Sequence, residues 1–323
     1  MTDSRAVAEV RRAVRSLLDR ATPGSGRLAV AVSGGADSLA LAAAATQLAG
    51  RHDLVLHGLV VDHRLQPGSA DVAARAAKQL QAMGFPEVRV LEVDVRGPGG
   101  LEAAARAARY AALRAALPAP DSLVLLGHTR DDQAETVLLG LGRGSGARSI
   151  AGMRPLDPPW ARPLLDVPRE VTARACTDLG LDPWQDPHNA DPGFARVRLR
   201  REVLPLLEDV LQGGVAKALA RTAAQLRDDA EALDAVAARV LDRARRGGGL
   251  DVVELAAEPP AVRRRVLRRW LLDAGVAELT DGHLRSADAL IGEWRGQGGV
   301  WLPGGLEVSR AHGRLCLSGD VSG

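Results

Sequence analysis

The chain has 323 residues, of which 46% are hydrophobic and 25% charged, and its 42 Lys and Arg residues nearly balance 40 Asp and Glu residues. This composition excludes disorder along the whole chain, and the length predicts two domains, or one large domain with an appendage. The two cysteines, Cys176 and Cys316, lie far apart in the sequence, which excludes a disulfide scaffold, a zinc ribbon and a cysteine-ligated iron–sulfur site.

The first half of the chain alternates strands with helices. After an amphipathic helix within residues 3–20, the pattern predicts strands over 28–32, 54–61, 88–95 and 122–127, and helices ending near residues 49, 83, 117 and 141. This alternation is typical of an α/β fold with a parallel, doubly wound sheet covered on both faces. Ligands of such sheets lie beyond the carboxyl ends of the strands. We therefore expect residues 33–38, 62–69 and 128–132 to meet at one edge.

The pattern changes from about residue 147, where prolines punctuate an irregular connector. Beyond this connector the chain is mostly helical, with predicted helices over 168–179, 215–246, 260–274 and 280–294. Short strands are predicted within residues 299–317. We therefore expect a catalytic domain over residues 1–210. A second, mainly helical domain that ends in short strands is expected over residues 211–323.

Cellular location and one class of nucleotide site also follow from composition. Unpaired cysteines favour a reducing compartment, so we expect a cytoplasmic location. Residues 1–20 are a charged amphipathic stretch rather than a signal peptide, and the most apolar segment, residues 28–49, contains polar residues that make it a poor membrane span. The two lysines, Lys78 and Lys217, follow alanine rather than glycine, which excludes a Walker-type phosphate loop.

The sharpest motif follows the first predicted strand and consists of Ser33, Gly34, Gly35, Ala36, Asp37 and Ser38. Two glycines allow a tight turn, and the N–H groups of the turn and of the following helix form an anion cradle. A carboxylate at Asp37 would repel phosphate by itself, but it fits a magnesium ion that bridges it to pyrophosphate oxygens. The simpler alternative is a turn in which Asp37 or Ser38 only caps the helix.

A different interpretation makes the same turn a nucleophile elbow, with Ser33 as the nucleophile of a hydrolase. The strand–turn–helix context suits that motif. However, its first glycine is missing, and the sequence has no His-Gly-Gly-Gly segment that would form an oxyanion loop.

A second cluster lies in residues 128–136, again between a strand and a helix. Asp131 is a candidate helix cap, whereas Asp132 and Glu135 are three residues apart and therefore share one helix face. Converging carboxylates suit magnesium or an ammonium group. His128 taken alone is more often a structural histidine.

Basic side chains are the third feature. Arg106 and Arg109 share a face of the third helix of the alternating region with Tyr110 beside them, and a solvated face explains them equally well. Residues 142–146 form a glycine-rich basic loop. Two later arginine clusters carry the charge footprint of nucleic-acid binding, although few aromatics accompany them. These clusters are Arg196, Arg198, Arg200 and Arg201, and Arg263, Arg264, Arg265, Arg268 and Arg269.

Taken in order, these motifs resemble those of the N-type ATP pyrophosphatases and, within that superfamily, the tRNA(Ile)-lysidine synthetase family. The resemblance spans about residues 27–210, and residues 303–305 resemble the end of the family's first C-terminal domain. The segments that carry it are 33–38, 61–63, 102–110, 128–136, 143–146, 162–165, 184–189 and 196–207.

The resemblance implies a ligase that forms a C–N bond on tRNA(Ile) with a CAU anticodon. ATP would activate the 2-carbonyl oxygen of the wobble cytidine as an adenylate and release pyrophosphate. The side-chain amine of L-lysine would then attack that carbon, and AMP would leave. Activation is needed because a urea-like carbonyl is a poor electrophile, and the transfer itself mainly requires positioning and charge neutralisation.

The resemblance also implies residue roles. Pyrophosphate is expected on residues 33–38, and magnesium on Asp37 and Asp132. Asp132 and Glu135 would hold magnesium or the lysine amine, and Arg109 and His128 would line the nucleotide and the reacting base. The residues expected to contact tRNA are Arg143, Arg196, Arg198, Arg200, Arg201, Arg264 and Arg268.

Two further alternatives stay open. A tRNA thiolase with the same loop would need thiolates near the site, and the two cysteines show no such pairing. A non-catalytic ATP-binding protein would need the loop but neither the acidic cluster nor the arginines. The oligomeric state is also open, including a homodimer.

Overall fold

The computed structural model describes residues 4–97, 100–144, 146–186 and 191–319. The chain divides into two compact units, one of residues 1–144 and 149–224 and the other of residues 145–148 and 225–323. Residues 187–189 of the resemblance motifs, and Ser145 of the glycine-rich basic loop, lie outside the described residues.

The first unit contains the alternating elements that the sequence predicts. Its strands are β1 Arg27–Ala31, β2 Val55–Asp62, β3 Glu87–Glu92, β4 Leu123–Leu125, β5 Leu156–Asp157 and β6 Trp160–Ala161. The helices in this part of the chain are α1 Arg5–Leu18, α2 Ala36–Ala49, α3 Ser69–Ala82, α4 Leu101–Ala115, α5 Arg130–Gly142, α6 Ala147–Ile150, α7 Arg169–Asp178, α8 Ala195–Arg198 and α9 Leu204–Val210. A π-helical segment, Leu199–Val203, joins α8 to α9.

The six strands form one sheet in the order β3-β2-β1-β4-β6-β5. All neighbours are parallel except β5, which pairs antiparallel with β6. The predicted parallel α/β sheet is therefore confirmed. Strands β5 and β6 were not predicted, because strands of two residues are too short to show a period-two pattern. They lie in the proline-rich connector, which the sequence predicted to be irregular.

Helices cover both faces of the sheet, as predicted. Leu28 and Val30 of β1 point to a core built with α1, α2, α3 and α7. Ala29, between them, points to the opposite face, where it packs with Leu113 and Ala116 of the α4 region. Because both faces of the sheet are covered by helices, polar side chains that bind a ligand lie at the ends of the strands.

The second unit combines helices with a small antiparallel sheet, in agreement with the predicted helical region that ends in short strands. Its helices are α10 Val215–Ala244, which begins in the first unit, α11 Val252–Ala256, α12 Pro260–Asp273 and α13 Asp281–Gly292. Its strands are β7 Arg245–Arg246, β8 Gly249–Asp251, β9 Val300–Leu302, β10 Leu306–Ala311 and β11 Arg314–Ser318, in the order β7-β8-β11-β10-β9. The hairpin of β7 and β8 was not predicted. Among the described helices, none combines the length and the apolar character needed to cross a bilayer.

Candidate active site

A cleft of about 880 Å³ lies at the carboxyl ends of the parallel strands in the first unit. Side chains from residues 33–38, 62–69 and 128–132 line it, so the three marked segments meet as the strand alternation predicts. Arg109, Arg169, Trp184 and Arg200 complete part of its wall. A site for an elongated polar ligand is thus built from segments far apart in the chain.

The turn after β1 leaves the N-terminus of α2 open to a ligand. Gly34 has a φ of 84°, which favours glycine, and Gly35 is the N-cap residue without a side-chain cap hydrogen bond. The capping alternative for Asp37 or Ser38 is therefore wrong. Ser38 Oγ donates instead to the carbonyl of Gly35 over 2.9 Å and accepts from Ser33 N over 3.2 Å. The first N–H groups of α2 can thus bind an anion.

Two residues that the sequence reasoning did not assign hold this turn in place. Trp184 N donates to the carbonyl of Gly34 over 2.9 Å. A Cβ at Gly127 would lie 3.1 Å from backbone atoms of Asp37 and Ser38, so glycine lets the segment after β4 pack closely against the start of α2. Trp184 belongs to one of the resemblance segments. For Gly127, the only signal in the sequence was its position directly before His128.

Ser33 lacks the surroundings of a hydrolase nucleophile. Its Oγ lies 3.3 Å from Ser38 Oγ. Among the described residues, no hydrogen bond joins Ser33 to a histidine, so the elbow has no general base.

Asp37, Asp132 and Glu135 form a cluster that we call the acidic centre, and Arg169 joins its members. Arg169 Nη2 lies 2.6 Å from Asp132 Oδ1, its Nη1 lies 3.4 Å from Glu135 Oε1, and its Nε lies 3.6 Å from Asp37 Oδ2. Arg169 opens α7, where its backbone N–H donates to Asp131 Oδ2 over 2.9 Å. Asp131 therefore accepts from the first residue of α7. The cap of α5 is Thr129, which forms a capping box with Asp132.

Two arginines of the segment 195–203 also reach the acidic centre. Arg200 Nε lies 2.8 Å from Glu135 Oε1, and its Nη2 lies 3.3 Å from Oε2 of the same carboxylate. Arg196 Nη1 lies 3.8 Å from Glu135 Oε2, while its Nε lies 3.2 Å from Glu102 Oε1. The Glu135 side chain has 0% exposure. Arg196 and Arg200, which were predicted to contact tRNA, thus contact a buried carboxylate in this structure.

The acidic centre contains two carboxyls with opposite pKa shifts. Burial raises the pKa of Asp37 to about 6, and nearby Asp132 adds to the rise, although the Thr172 hydroxyl donates to Asp37 Oδ1 and opposes it. Burial would also raise the pKa of Asp132, but Arg169, nearby His128 and the hydrogen bonds from Thr129 together outweigh burial and hold that pKa below the usual range. Asp132 is therefore ionised at neutral pH, and Asp37 lacks full compensation of its charge.

The cleft is also lined by two uncharged imidazoles, His63 and His128, near Arg109. Burial, with Arg109 nearby, lowers the pKa of His128 to about 3. Burial and Arg109 also lower the pKa of His63. In the described part of the chain, the buried Nδ1 atoms of both histidines and Nε of Arg109 have no hydrogen-bond partner. These atoms can hydrogen-bond the polar edge of a ligand.

The remaining predicted tRNA-contacting arginines lie in different places. Arg143 follows the end of α5, Arg201 lines the cleft, and Arg198 is an exposed partner of Glu202. Arg264 and Arg268 lie on α12 of the second unit.

The α12 arginines do not form one open patch. Arg263 Nε lies 2.7 Å from Asp288 Oδ1, and the Arg263 side chain is only 12% exposed. Arg265 and Arg269 pair with Asp234 and Asp273. Several of the α12 arginines thus form ion pairs within the protein, so the sequence alone indicates more arginines available to a ligand than the structure leaves.

Family comparisons cover most of the chain. A model of the PP-loop domain matches residues 6–207, and a model of the TilS substrate binding domain matches residues 250–316. The chain is 56% identical to a tRNA(Ile)-lysidine synthase of Rhodococcus erythropolis over 98% of its own length and 97% of the relative. It is 58% identical to that of Nocardia farcinica, over 95% of this chain and 97% of the relative.

A solved structure shares the fold at low sequence identity. It is the U34-tRNA thiolase NcsA from Methanococcus maripaludis with its 4Fe-4S cluster, which is 19% identical, has a TM-score of 0.56, and is matched over 68% of this chain and 79% of that one. This likeness supports the PP-loop architecture of the sheet and nothing about the reaction.

Proposed function

Because this chain belongs to the tRNA(Ile)-lysidine synthase family, we propose how its acidic centre and open helix terminus carry out the reaction of that family. The chain is an ATP-dependent ligase that modifies tRNA(Ile). The proposed reaction attaches L-lysine to the wobble cytidine of the CAU anticodon. One observation carries the residue assignments: the open N-terminus of α2 and two carboxyls of the acidic centre, Asp37 and Asp132, line the same cleft.

The two parts of the chain have different proposed roles. We assign catalysis to residues 1–210 and recognition of tRNA to residues 211–323, and the match of residues 250–316 to a substrate binding domain supports the second assignment. All residues proposed for the chemistry belong to the first unit. The unpaired Cys176 and Cys316 support a cytoplasmic location.

The phosphates of ATP bind the turn at residues 33–38. The open N–H groups at the start of α2 face them with the positive end of the helix dipole, and the hydroxyls of Ser33 and Ser38 add donors. Gly34 and Gly35 allow the backbone to approach the phosphates closely.

Magnesium fits the carboxyls of this site. Asp37 and Asp132 supply the hard oxygen ligands that the ion prefers, and a dication would stabilise the ionised form of Asp37, whose pKa is raised by burial and by nearby Asp132. Among the described residues, no group of three or more His, Cys, Asp or Glu side chains could hold a metal by itself. Phosphate oxygens and water would therefore supply the other ligands. When bound, magnesium neutralises the charge of the phosphates.

The first step activates the base. The cytidine O2 forms a bond to the α-phosphorus of ATP while the bond from that phosphorus to the bridging oxygen breaks, and pyrophosphate leaves. His128 is uncharged because its pKa lies near 3, so it can hydrogen-bond the base without repelling Arg109. Arg109 lies beside His128 near the reacting base, and the open N–H groups of α2 balance the negative charge that develops on the departing pyrophosphate.

The second step joins lysine to the base. The amine nitrogen forms a bond to C2 of the cytidine, the bond from C2 to O2 breaks, and AMP leaves with that oxygen. A carboxylate of the acidic centre accepts the proton that the amine loses. Because Glu135 and Asp132 already contact Arg169 and Arg200, the ammonium of lysine competes with guanidinium groups for these carboxylates.

The environment of Cys176 supports ligation over thiolation. Burial raises the pKa of its thiol to about 11, and Asp37 adds to the rise. Its Sγ donates to the carbonyl of Ala36 over 3.2 Å. The thiol is therefore protonated at neutral pH and a poor sulfur carrier.

Mass analysis of an unmodified tRNA(Ile) transcript tests the proposed reaction. The full chain is incubated with ATP, magnesium and isotopically labelled lysine, and we expect the anticodon fragment to gain labelled lysine with loss of water. Reactions without ATP and a transcript with another base at the wobble position are the controls. A product formed without ATP, or a transcript that gains no lysine, would contradict the proposal.

A further inference from the structure

Three arginines of the first unit form a cluster without carboxylate partners, which we call the arginine wall: Arg106 and Arg109 of α4, and Arg162, which follows β6. Within the described residues, none of the three has a carboxylate oxygen within 4.0 Å, whereas Arg196 nearby pairs with Glu102. Arg162 is only 6% exposed, and its Nε has no hydrogen-bond partner in the same part of the chain. Buried cations that lack a partner are costly, so the cluster favours an anionic ligand.

Tyr110 organises the arginine wall. The guanidinium carbon of Arg106 lies 4.9 Å from the centroid of the Tyr110 ring, and its Nη2 donates to Tyr110 Oη over 3.3 Å. The guanidinium carbon of Arg109 lies 5.4 Å from the same centroid. Arg162 lies close enough to Tyr110 to lower its pKa, and Arg162 Nη1 donates to the carbonyl of Arg154 over 3.0 Å.

The Tyr110 ring is itself fixed. It packs edge-on against Trp160, with centroids 4.6 Å apart and an angle of 75° between the planes. Three arginines therefore surround one phenol whose position is set by the sheet.

The arginines repel one another in the absence of an anion. Although Arg106 is exposed overall, its partial burial lowers its pKa, and Arg109, Arg196 and Arg162 lower it further, against the effect of Tyr110. Arg106, Arg162 and Arg109 together pull the pKa of Tyr110 below its usual value, even though burial alone would raise it. An anion placed among these side chains would relieve both effects.

We propose that the arginine wall binds a backbone phosphate of the tRNA strand next to the reacting cytidine. Arg106 and Arg109 contact the phosphate, and Arg162 and Tyr110 are positioning residues that hold these two guanidinium groups. The proposal rests on the proposed function, because it assumes a nucleic-acid substrate in the cleft that Arg109 lines.

A phosphate of nucleic acid suits the wall better than a phosphate of ATP. The open N-terminus of α2 already offers donors to the ATP phosphates, and the wall uses separate donors on α4. Arg106 is exposed to solvent, so a polymer can reach it from outside the cleft. Guanidinium groups match phosphate oxygens with paired hydrogen bonds, and such contacts fix the register of the strand.

Arg106→Gln in the full chain tests the contact, with Arg114→Gln as the matched control. Arg114 is an exposed arginine on the same helix whose guanidinium carbon lies 5.4 Å from the Trp160 centroid, outside the wall. We expect Arg106→Gln to raise KM for tRNA about tenfold and to reduce the salt slope of tRNA binding by about 0.7 for one lost single-strand phosphate contact. KM for ATP should not change, and Arg114→Gln should behave like the wild type.

Tyr110→Phe tests the positioning role, because it keeps the ring on Trp160 and removes the hydroxyl. We expect a smaller rise in KM for tRNA with unchanged kcat and an unchanged thermal midpoint. In Arg106→Gln, a rise in KM for ATP together with an unchanged salt slope of tRNA binding would mean that the wall binds a phosphate of ATP, and it would overturn the proposal. An unchanged KM for tRNA in Arg106→Gln would also overturn it. The salt slope is a binding measurement, so its result stands apart from whether the wild type forms lysidine.

Discussion

The acidic centre and the arginine wall lie in the same unit, yet their charges are balanced in opposite ways. In the acidic centre, Asp132 and Glu135 are matched by Arg169 and Arg200 at 2.6 and 2.8 Å. In the arginine wall, the described residues place no carboxylate within 4.0 Å of the guanidinium groups. Carboxylates that already pair with arginines can exchange one cation for another. Arginines without carboxylate partners instead favour binding of an anion. We therefore assign lysine and magnesium to the first region and the nucleic-acid strand to the second.

The largest expected effect comes from Asp37→Asn, which removes charge from the acidic centre but keeps an acceptor for Thr172. We expect turnover to fall about 10³-fold, since charge stabilisation at a transferring phosphorus is commonly worth that much. Affinity for tRNA should be retained, because Asp37 is not among the residues proposed to contact the strand. Steady-state kinetics and filter binding measure the two quantities. Normal turnover in this variant would remove Asp37 from the chemistry.

Arg169→Ala should have the next largest effect, on folding stability. The substitution leaves three carboxyls without their shared cation, and loss of a partner from a buried pair costs up to about 3 kcal/mol of unfolding free energy. Arg174→Ala is the control on the same helix, because its pair with Asp178 is exposed and is worth at most about 0.5 kcal/mol. Urea denaturation compares the two variants, and equal losses would show that Arg169 is not the cation that holds the centre together.

Arg200→Gln tests the competition between lysine and arginine for Glu135. Without tRNA, we expect lysine to bind about fivefold more tightly to this variant than to the wild type, because one competing ion pair is gone. Arg198→Gln is the control, since Arg198 pairs with Glu202 on its own helix. Equilibrium dialysis with labelled lysine gives both affinities. Weaker binding in Arg200→Gln would mean that Arg200 supports the lysine site rather than occupying it.

The smallest effect concerns the protonation of His128. With a pKa near 3, its imidazole should stay uncharged between pH 5 and 8, and its ring proton resonances should not shift in that range. Arg109→Gln should raise the pKa of His128, because a neighbouring positive charge is lost. The pKa should stay below the usual value, because the histidine remains buried. A His128 resonance that titrates near pH 6.5 in the wild type would show that burial and Arg109 do not lower its pKa.

Local patterns were enough for the elements and for part of the site. Period-two and period-3.6 hydrophobicity predicted the long strands and helices, and the i, i+3 spacing put Asp132 and Glu135 on one face of α5. Strands β5 and β6 escaped this approach because they have two residues each. The ion pair of Arg263 with Asp288 could not be predicted because it joins two helices, α12 and α13.

Contacts between distant segments were the part that the sequence could not provide. Arg169 and Thr172 meet Asp37 only because α7 packs beside α2. Arg196 and Arg200 look like a basic cluster for tRNA, but the helical segment from α8 to α9 directs both toward Glu135. Gly127 has a role only because β4 ends against the first turn of α2.

The most direct test of the central claim uses ATP labelled at its α-phosphorus, an unmodified tRNA(Ile) transcript and no lysine. If the turn at residues 33–38 and the acidic centre activate the cytidine, the label moves to the tRNA while pyrophosphate is released, and added lysine then frees labelled AMP. Asp37→Asn should transfer almost no label. If the label stays in ATP, or if lysine releases no AMP from labelled tRNA, the proposed adenylation at this cleft is contradicted.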